Sequence, residues 1–375
     1  MKIFKIVCVL AAVASVPFHL RSDQQVMKYE QEGQSLEQRW DWAASQAKSI
    51  NSDFWVGYSF KRTGAGGRIS SGEPWQSSAN RLTLEELIQE NYPNLEQSDE
   101  SIQEAARNAL DSYENRENPY KKSLHHVALL FRFENGRQEW SHLTDMKMSD
   151  IDEIVDLDNM PLIWLGKADQ EESMEFVSEL YERIPDEEAR EMLIAAAGFH
   201  EPESSVKFLK SVIQNDASEK LRGDAVFWLG QSNDDNILEF LEMLIHNDRS
   251  FEVREKGVFA LHLLGSEQAT NLLIDLARHA DESEIQEKAI FWLSQEASDR
   301  AAEILKEIAV NTVDTEIQES AIFAISQLKD DESIPMLIDI ARNHQNLEVR
   351  KKAIFWLGQS DDSRAREAII KLIED

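Results

Sequence analysis

Ala225-Val226-Phe227-Trp228-Leu229-Gly230-Gln231 recurs as Ala289-Ile290-Phe291-Trp292-Leu293-Ser294-Gln295 and again as Ala353-Ile354-Phe355-Trp356-Leu357-Gly358-Gln359. Weaker copies are Gly257-Val258-Phe259-Ala260-Leu261 and Ala321-Ile322-Phe323-Ala324-Ile325. Phe227, Phe259, Phe291, Phe323 and Phe355 therefore stand 32 residues apart at every step. Two further steps back fall on Ala195, within Leu193-Ile194-Ala195-Ala196-Ala197-Gly198, and Ile163, within Leu162-Ile163-Trp164-Leu165-Gly166. A period of this length marks an array of stacked structural units. The frame predicts seven such units over 152–375.

Each unit carries two helical patterns. In the last one, Val349, Ala353, Trp356 and Leu357 follow the i, i+4, i+7, i+8 spacing of one buried face. The polar turn Ser360-Asp361-Asp362-Ser363 supplies short side chains suited to capping the next helix. That helix carries Ala368, Ile369, Leu372 and Ile373. Neither helix can bury its stripe alone, so the hairpins must stack. The phenylalanines lie off this stripe. At about 100° per residue from Val349, Phe355 falls at roughly −120° while Ala353 and Leu357 fall at roughly 40° and 80°. Two placements fit: the rings fill grooves between repeats, or they form an exposed binding row. With ~10 Å per packed helix, the row spans roughly 40 Å, enough for an extended peptide or a helix. The following position alternates Trp164, Ala196, Trp228, Ala260, Trp292, Ala324 and Trp356. This reads as large-against-small packing across neighbouring repeats, with an aromatic binding box as the other reading.

Leu347-Glu348-Val349-Arg350-Lys351-Lys352-Ala353 and Phe251-Glu252-Val253-Arg254, with their Leu-Gly-type endings, resemble HEAT repeats. The short unit is most similar to the HEAT-like class first associated with phycobilisome lyases. The resemblance covers 152–375 and implies a mainly α, right-handed α-solenoid of seven 32-residue hairpins. It further implies that the helix bearing Val-Arg lines the concave side, with the arginine bonded to a neighbouring loop. Arg190, Arg222, Arg254 and Arg350 match that position, whereas Gln286 and Gln318 depart from it and interrupt a charged ladder. Trp164, Trp228, Trp292 and Trp356 are structural repeat positions on this reading. Members of the class include bilin lyases, scaffolds and exported proteins.

The formal charge of −31 disfavours phosphate backbones and anionic lipid surfaces. It suits a neutral or basic protein partner. Lys2 and Lys5, then the apolar Ile6–Val16 broken by Pro17, read as an export signal. Ala12-Val13-Ala14 offers a cleavage site, so the signal is 1–14 or extends to 22. The expected location is periplasmic or extracellular, with no membrane insertion after cleavage. Cys8, the only cysteine, would leave with the signal, so neither a disulfide nor a thiolate site is expected.

Residues 23–150 read as a small α+β domain before the repeats at 151–375. Leu36, Trp40, Ala43 and Ala47 share one side of a helix, and Phe54, Val56, Tyr58 and Phe60 alternate along a strand. Leu84–Glu90 and Ser101–Tyr113 read as further helices. His125–Glu134 and Arg137–Leu143 flank Asn135-Gly136, the signal for a type I′ hairpin. Covering one end of the stack is the simplest role for this domain. Gly64-Ala65-Gly66-Gly67 lacks the following Gly-Lys-Ser/Thr of a phosphate loop. His125 and His126 alternate on a strand and point to opposite faces, while His142 on the partner strand is able to approach one of them. The remaining histidines share no register. We therefore expect no catalytic residues, metal or cofactor, and a binding scaffold for a protein or peptide with Phe227, Phe259, Phe291, Phe323 and Phe355 as candidate contacts. Family analogy offers a lyase or chromophore-attachment factor, or a hydrolase working through the N-terminal domain, as the alternative.

Overall fold

Apolar residues alternate along Phe54-Trp55-Val56-Gly57-Tyr58-Ser59-Phe60, and in the folded chain all seven are buried, as a strand covered on both faces requires. The computed structural model describes residues 26–29, 31, 33–50, 52–61, 126–133, 145–150, 160–232, 234–296 and 298–374. They form two compact units divided between Ser205 and Val206.

The first unit is built on a five-stranded sheet of order β1-β5-β2-β3-β4. Its strands are β1 (Val26–Lys28), β2 (Phe54–Lys61), β3 (His126–Phe133), β4 (Asp145–Asp150) and β5 (Leu162–Ala168). β5 runs parallel to both β1 and β2, while β3 pairs antiparallel with β2 and β4. Helices α1 (Leu36–Ala47), α2 (Gln170–Arg183) and α3 (Glu187–Ala197) belong to the same unit. A Ser35/Gln38 capping box starts α1, which buries Leu36, Trp40 and Ala43. The Trp40 ring meets Phe131 of β3 edge-on at 5.1 Å and Phe176 of α2 at 5.0 Å. Next to Trp40, Arg39 donates to the carbonyls of Leu165 and Lys167 at 2.9 and 2.7 Å and pairs with Glu172 at 2.5 Å. The cation thus ties helix α1 to strand β5 and helix α2.

Two sequence expectations change here. Leu162-Ile163-Trp164-Leu165-Gly166, read as the first helix of the first repeat, is strand β5. A seven-residue apolar run has no decisive period, so its neighbours settle its conformation. Both its edges are paired, and Pro161 disfavours a helical residue before it. Between the pairs Gly57↔Trp164 and Ser59↔Lys167 the strand carries one extra residue, a bulge at which Gly166 takes φ +84°. The helical pairs among the described residues therefore number six, not seven. Trp164 leaves the repeat series and packs with Trp55, Leu130, Leu162 and Met160, over Gly57. The second change concerns β3, whose partner strand is Asp145–Asp150 rather than 137–143. The Asn135-Gly136 turn, His125, His142, the two helices expected over 84–113 and the export signal lie outside the described residues.

Helix α4 (Pro202–Asn215) continues the 32-residue register, and the second unit then consists of five hairpins. These are α5 (Glu219–Gly230) with α6 (Leu238–Asn247), α7 (Phe251–Leu264) with α8 (Glu267–His279), and α9 (Ser283–Ser294) with α10 (Asp299–Asn311). They are followed by α11 (Thr315–Ser326) with α12 (Asp330–Asn343), and α13 (Leu347–Leu357) with α14 (Ser363–Glu374). Ser218, Ser250, Ser266, Ser298, Asp314 and Asn346 each cap the following helix through a side-chain oxygen. The first helices α5, α7, α9, α11 and α13 lie side by side in that order. Along α7 the buried stripe is Val253, Gly257, Ala260, Leu261 and Leu264, the spacing read from sequence.

Contact between α5 and α7 is closest at Gly230. A methyl group placed there would lie 2.8 Å from both Cα and Cβ of Ala260. Alanine ordinarily stabilises a helix relative to glycine by up to about 1 kcal/mol. Here the sign reverses, because backbone atoms must move apart. Gly230→Ala is expected to destabilise the protein by about 1–3 kcal/mol, read as a lower urea midpoint at unchanged slope.

Candidate functional site

The first helix of each hairpin places one phenylalanine off its buried stripe. Phe227 and Phe259 are half-buried, whereas Phe291, Phe323 and Phe355 are 38, 36 and 53% exposed. The rings neither fill the core nor stand isolated. Phe227 stacks on Phe259 at 6.1 Å, and Phe259 stacks on Trp292 at 4.4 Å. Phe291 meets the edge of Trp292 at 5.0 Å, and His262 stacks on Trp292 at 4.9 Å. Farther along, Phe323 lies 5.2 Å from Trp356, whose edge meets Phe355 at 5.1 Å. Ring contacts thus cross from one repeat to the next and hold a pre-ordered aromatic surface.

Trp228 is buried, as core packing requires, but Trp292 and Trp356 are only half-buried and belong to this surface. Ala260 and Ala324, the small members of the alternation, are buried. The tryptophan positions therefore divide between core and face.

Carboxylates accompany the rings. Glu252, Glu284, Glu316 and Glu348 recur every 32 residues, as do Glu255, Glu287 and Glu319. Lysines on the same helices pair backwards with the preceding repeat: Lys256 with Asp224 at 3.4 Å, Lys288 with Glu255 at 2.6 Å and Lys352 with Glu319 at 2.8 Å. A groove of about 350 Å³ opens among Glu287, Glu316, Glu319, Ser320, Phe323, Lys352 and Trp356.

The conserved-register arginines do other work. Arg190 Nε donates to the Ile184 carbonyl at 2.6 Å, and Arg350 Nε to that of Ala341 at 2.9 Å. Arg222 reaches the Asp216 carbonyl and pairs with Asp248, while Arg254 donates to the Asp248 carbonyl at 2.8 Å and pairs with Glu282. Gln286 bonds without charge to the last turn of α8, donating to the carbonyls of Ala277 and Arg278 at 3.0 and 3.2 Å. Gln318 instead bonds to His344 at 3.3 Å. These side chains fasten helices to loops, and their engagement leaves the aromatic face to the phenylalanines and glutamates.

A polar trio inside the first unit escaped the sequence reading. Tyr58 on β2, Ser173 on α2 and His200 after α3 are all buried. His200 Nδ1 lies 2.8 Å from the Ala196 carbonyl, which only accepts, so Nδ1 carries the proton. Nε2, 2.8 Å from Ser173 Oγ, then accepts the serine proton, and the Tyr58 hydroxyl donates to Oγ at 3.1 Å. Phe60 stacks on the imidazole at 4.1 Å. Burial pushes the Tyr58 hydroxyl far above its ordinary range and lowers His200 to about 4. All three groups are uncharged and buried, and their hydrogen bonds lock β2, α2 and the end of α3 together. Nothing in sequence linked residues 58, 173 and 200, because their proximity arises only when α2 and α3 pack beside the sheet.

Family models for HEAT repeats match residues 206–294 and 237–326, and the PBS lyase HEAT-like repeat matches 349–375. No curated protein matches the sequence. Human deoxyhypusine hydroxylase is 17% identical over 54% of this chain and 84% of its own, with a TM-score of 0.24. The CpcE–CpcF complex of phycocyanin lyase from Nostoc sp. is 19% identical over 52% of this chain and 80% of that chain, with a TM-score of 0.31. Neither likeness is close enough to speak for chemistry. Residues 206–326 thus carry HEAT repeats, and 349–375 a repeat of the phycobilisome-lyase-like class.

The His200 lock has a pH signature. The unfolded imidazole titrates near its ordinary 6.5 and the buried one near 4. Between those values the unfolded chain binds more protons, so stability is full above 6.5 and falls as pH drops towards 4. The loss is expected to be on the order of 3 kcal/mol. Urea melts at pH 7 and pH 4.5 check it: His200→Gln should be less stable at pH 7 and should lose less than the parent on acidification.

Proposed function

We propose that this HEAT-repeat protein is a binding scaffold that holds a protein segment or peptide along the face formed by α5, α7, α9, α11 and α13. The observation that carries this reading is the column of phenylalanines from Phe227 to Phe355, exposed at Phe291, Phe323 and Phe355 and held in two groups of ring contacts, Phe227–Phe259–Trp292–Phe291 and Phe323–Trp356–Phe355. An aromatic surface fixed by its own stacking loses little side-chain freedom when covered, which favours association. Phe291, Phe323 and Phe355 leave apolar ring surface in water on successive repeats, outside the stripe that is already buried.

The partner we infer is neutral or basic, in keeping with the net charge of −31. Nucleic acid and anionic lipid are disfavoured on the same ground. Among the described residues no helix is long and apolar enough to cross a membrane. We further propose, from Lys2, Lys5 and the apolar Ile6–Val16, that the chain is exported to the periplasm or beyond.

A photo-crosslinking residue placed at position 355 in the full chain, expressed in its source cell, is expected to capture a partner identifiable by mass spectrometry. Replacing Phe291, Phe323 and Phe355 together by serine should leave the helical circular dichroism intact and weaken the captured complex at least ~30-fold, since buried aromatic anchors commonly contribute 2 kcal/mol or more each. A complex of unchanged affinity with the triple variant would remove the aromatic face from the binding site.

A further inference from the structure

The ion pairs along the aromatic face follow a rule with one break in it. From α7 onward a lysine in the first helix reaches back to a carboxylate of the preceding repeat, Lys256 to Asp224, Lys288 to Glu255 and Lys352 to Glu319, whereas α5, at the start of the series, carries Asp224 at that position. The corresponding position in α11 is Ser320. A serine hydroxyl is neither charged nor long enough to replace the ammonium. Glu287, the carboxylate that a lysine at 320 would meet, has no ion-pair partner among the described residues, and neither does Glu316 beside it. The groove of about 350 Å³ lies at this break.

The walls of this groove suit a cation. Phe323 and Trp356 stand 5.2 Å apart with their planes inclined by 46°. Both rings offer π faces that attract an ammonium or guanidinium group. Three glutamates and one lysine line the opening, and the lysine is already held by Glu319. An anion entering here would meet two uncompensated carboxylates. A purely apolar side chain would cover the rings but leave those carboxylates with less water and no counter-charge.

We propose that the Ser320 groove is a recognition subsite for one lysine or arginine side chain of a basic protein segment, which supplies in trans the cation that α11 lacks. The cation sits between Glu287 and Glu316, with its aliphatic stem against Phe323 and Trp356. This rests on the scaffold reading of the same face and adds to it the charge and position of one contact. The flanking repeats, where Lys288 and Lys352 already occupy the equivalent place, bind the segment through their rings alone.

The break suggests its own test. Ser320→Lys should restore the internal pair with Glu287, filling the groove without disturbing the buried stripe. Binding is measured by fluorescence anisotropy of labelled twelve-residue peptides in which leucine alternates with arginine, glutamine or glutamate, added to the full chain. The arginine peptide is expected to bind at least ~10-fold more tightly than the glutamine peptide at low salt, and to lose that advantage as ionic strength rises. Ser320→Lys and Glu287→Gln should each reduce the arginine peptide's affinity by about 10-fold, with the urea midpoint of Ser320→Lys equal to or above that of the parent.

The subsite is overturned if the arginine peptide binds no better than the glutamine one, or if both single variants bind it like the parent. In the second case, loss of binding on replacing Phe291, Phe323 and Phe355 by serine would leave the scaffold reading standing. Undiminished binding by that triple variant as well would remove both. A glutamate peptide that binds best would likewise overturn the assignment of charge.

Discussion

Burial of the stripe Val253, Gly257 and Leu261 on α7 depends on the matching stripe Ile285, Ala289 and Leu293 arriving 32 residues later on α9, and Leu221, Ala225 and Leu229 32 residues earlier on α5. One hairpin has too little interior to offset its own ordering entropy, so the repeat spacing itself is the stabilising feature. A single inserted residue in a first helix would rotate its stripe by about 100° and expose it. The constancy of the interval from Phe227 to Phe355 follows from this requirement. It also fixes everything that is not in the stripe. Once the buried residues are in register, the phenylalanines, the glutamates and the loop-directed arginines are forced into columns, and columns are what create an extended surface.

That constraint explains why most of the fold is legible in the sequence. Helix type and hairpin pairing follow from period and spacing, whereas the role of the arginines was implied by the resemblance to HEAT repeats. The polar residues at the turns also have their place, since Ser218, Ser250 and Asn346 cap the helices that follow them. The reading fails at Leu162-Ile163-Trp164-Leu165-Gly166, where the local apolar pattern matches the repeat but the segment lies between β1 and β2. Strand pairing satisfies the backbone groups along both edges there, and the left-handed Gly166 breaks any helix. Local pattern carries no information about which partner arrives first from elsewhere in the chain. The same limitation hides the Tyr58–Ser173–His200 lock, whose members are separated by 115 and 27 residues.

The candidate face was legible in part. Helical geometry places Phe355 away from the stripe, but angle alone does not distinguish a groove-filling ring from an exposed one. The answer depends on how tightly neighbouring first helices approach. At Gly230 and Ala260 the backbones come close, and Phe227 and Phe259 are correspondingly half-buried and stacked on each other. Farther along, Phe291, Phe323 and Phe355 are open to water.

Charge along this face is organised by the same columns. A lysine that reaches back to the previous repeat neutralises one carboxylate and covers apolar surface with its stem, so the ladder of pairs makes the face less acidic than its glutamate content suggests. Exposed pairs of this kind add little stability individually. Their larger effect is on what the face repels and attracts, because every lysine they engage is a cation withdrawn from an incoming anion. Ser320 interrupts the ladder while the stripe residues around it, Ile317, Ala321 and Ile325, remain buried. The fold does not need a lysine there, and the absence leaves Glu287 and Glu316 beside Phe323 and Trp356. Stability and recognition are therefore set by different columns of the same helix: one face of α11 is fixed by the stack, and the other is free to carry a local charge that the repeat itself does not answer.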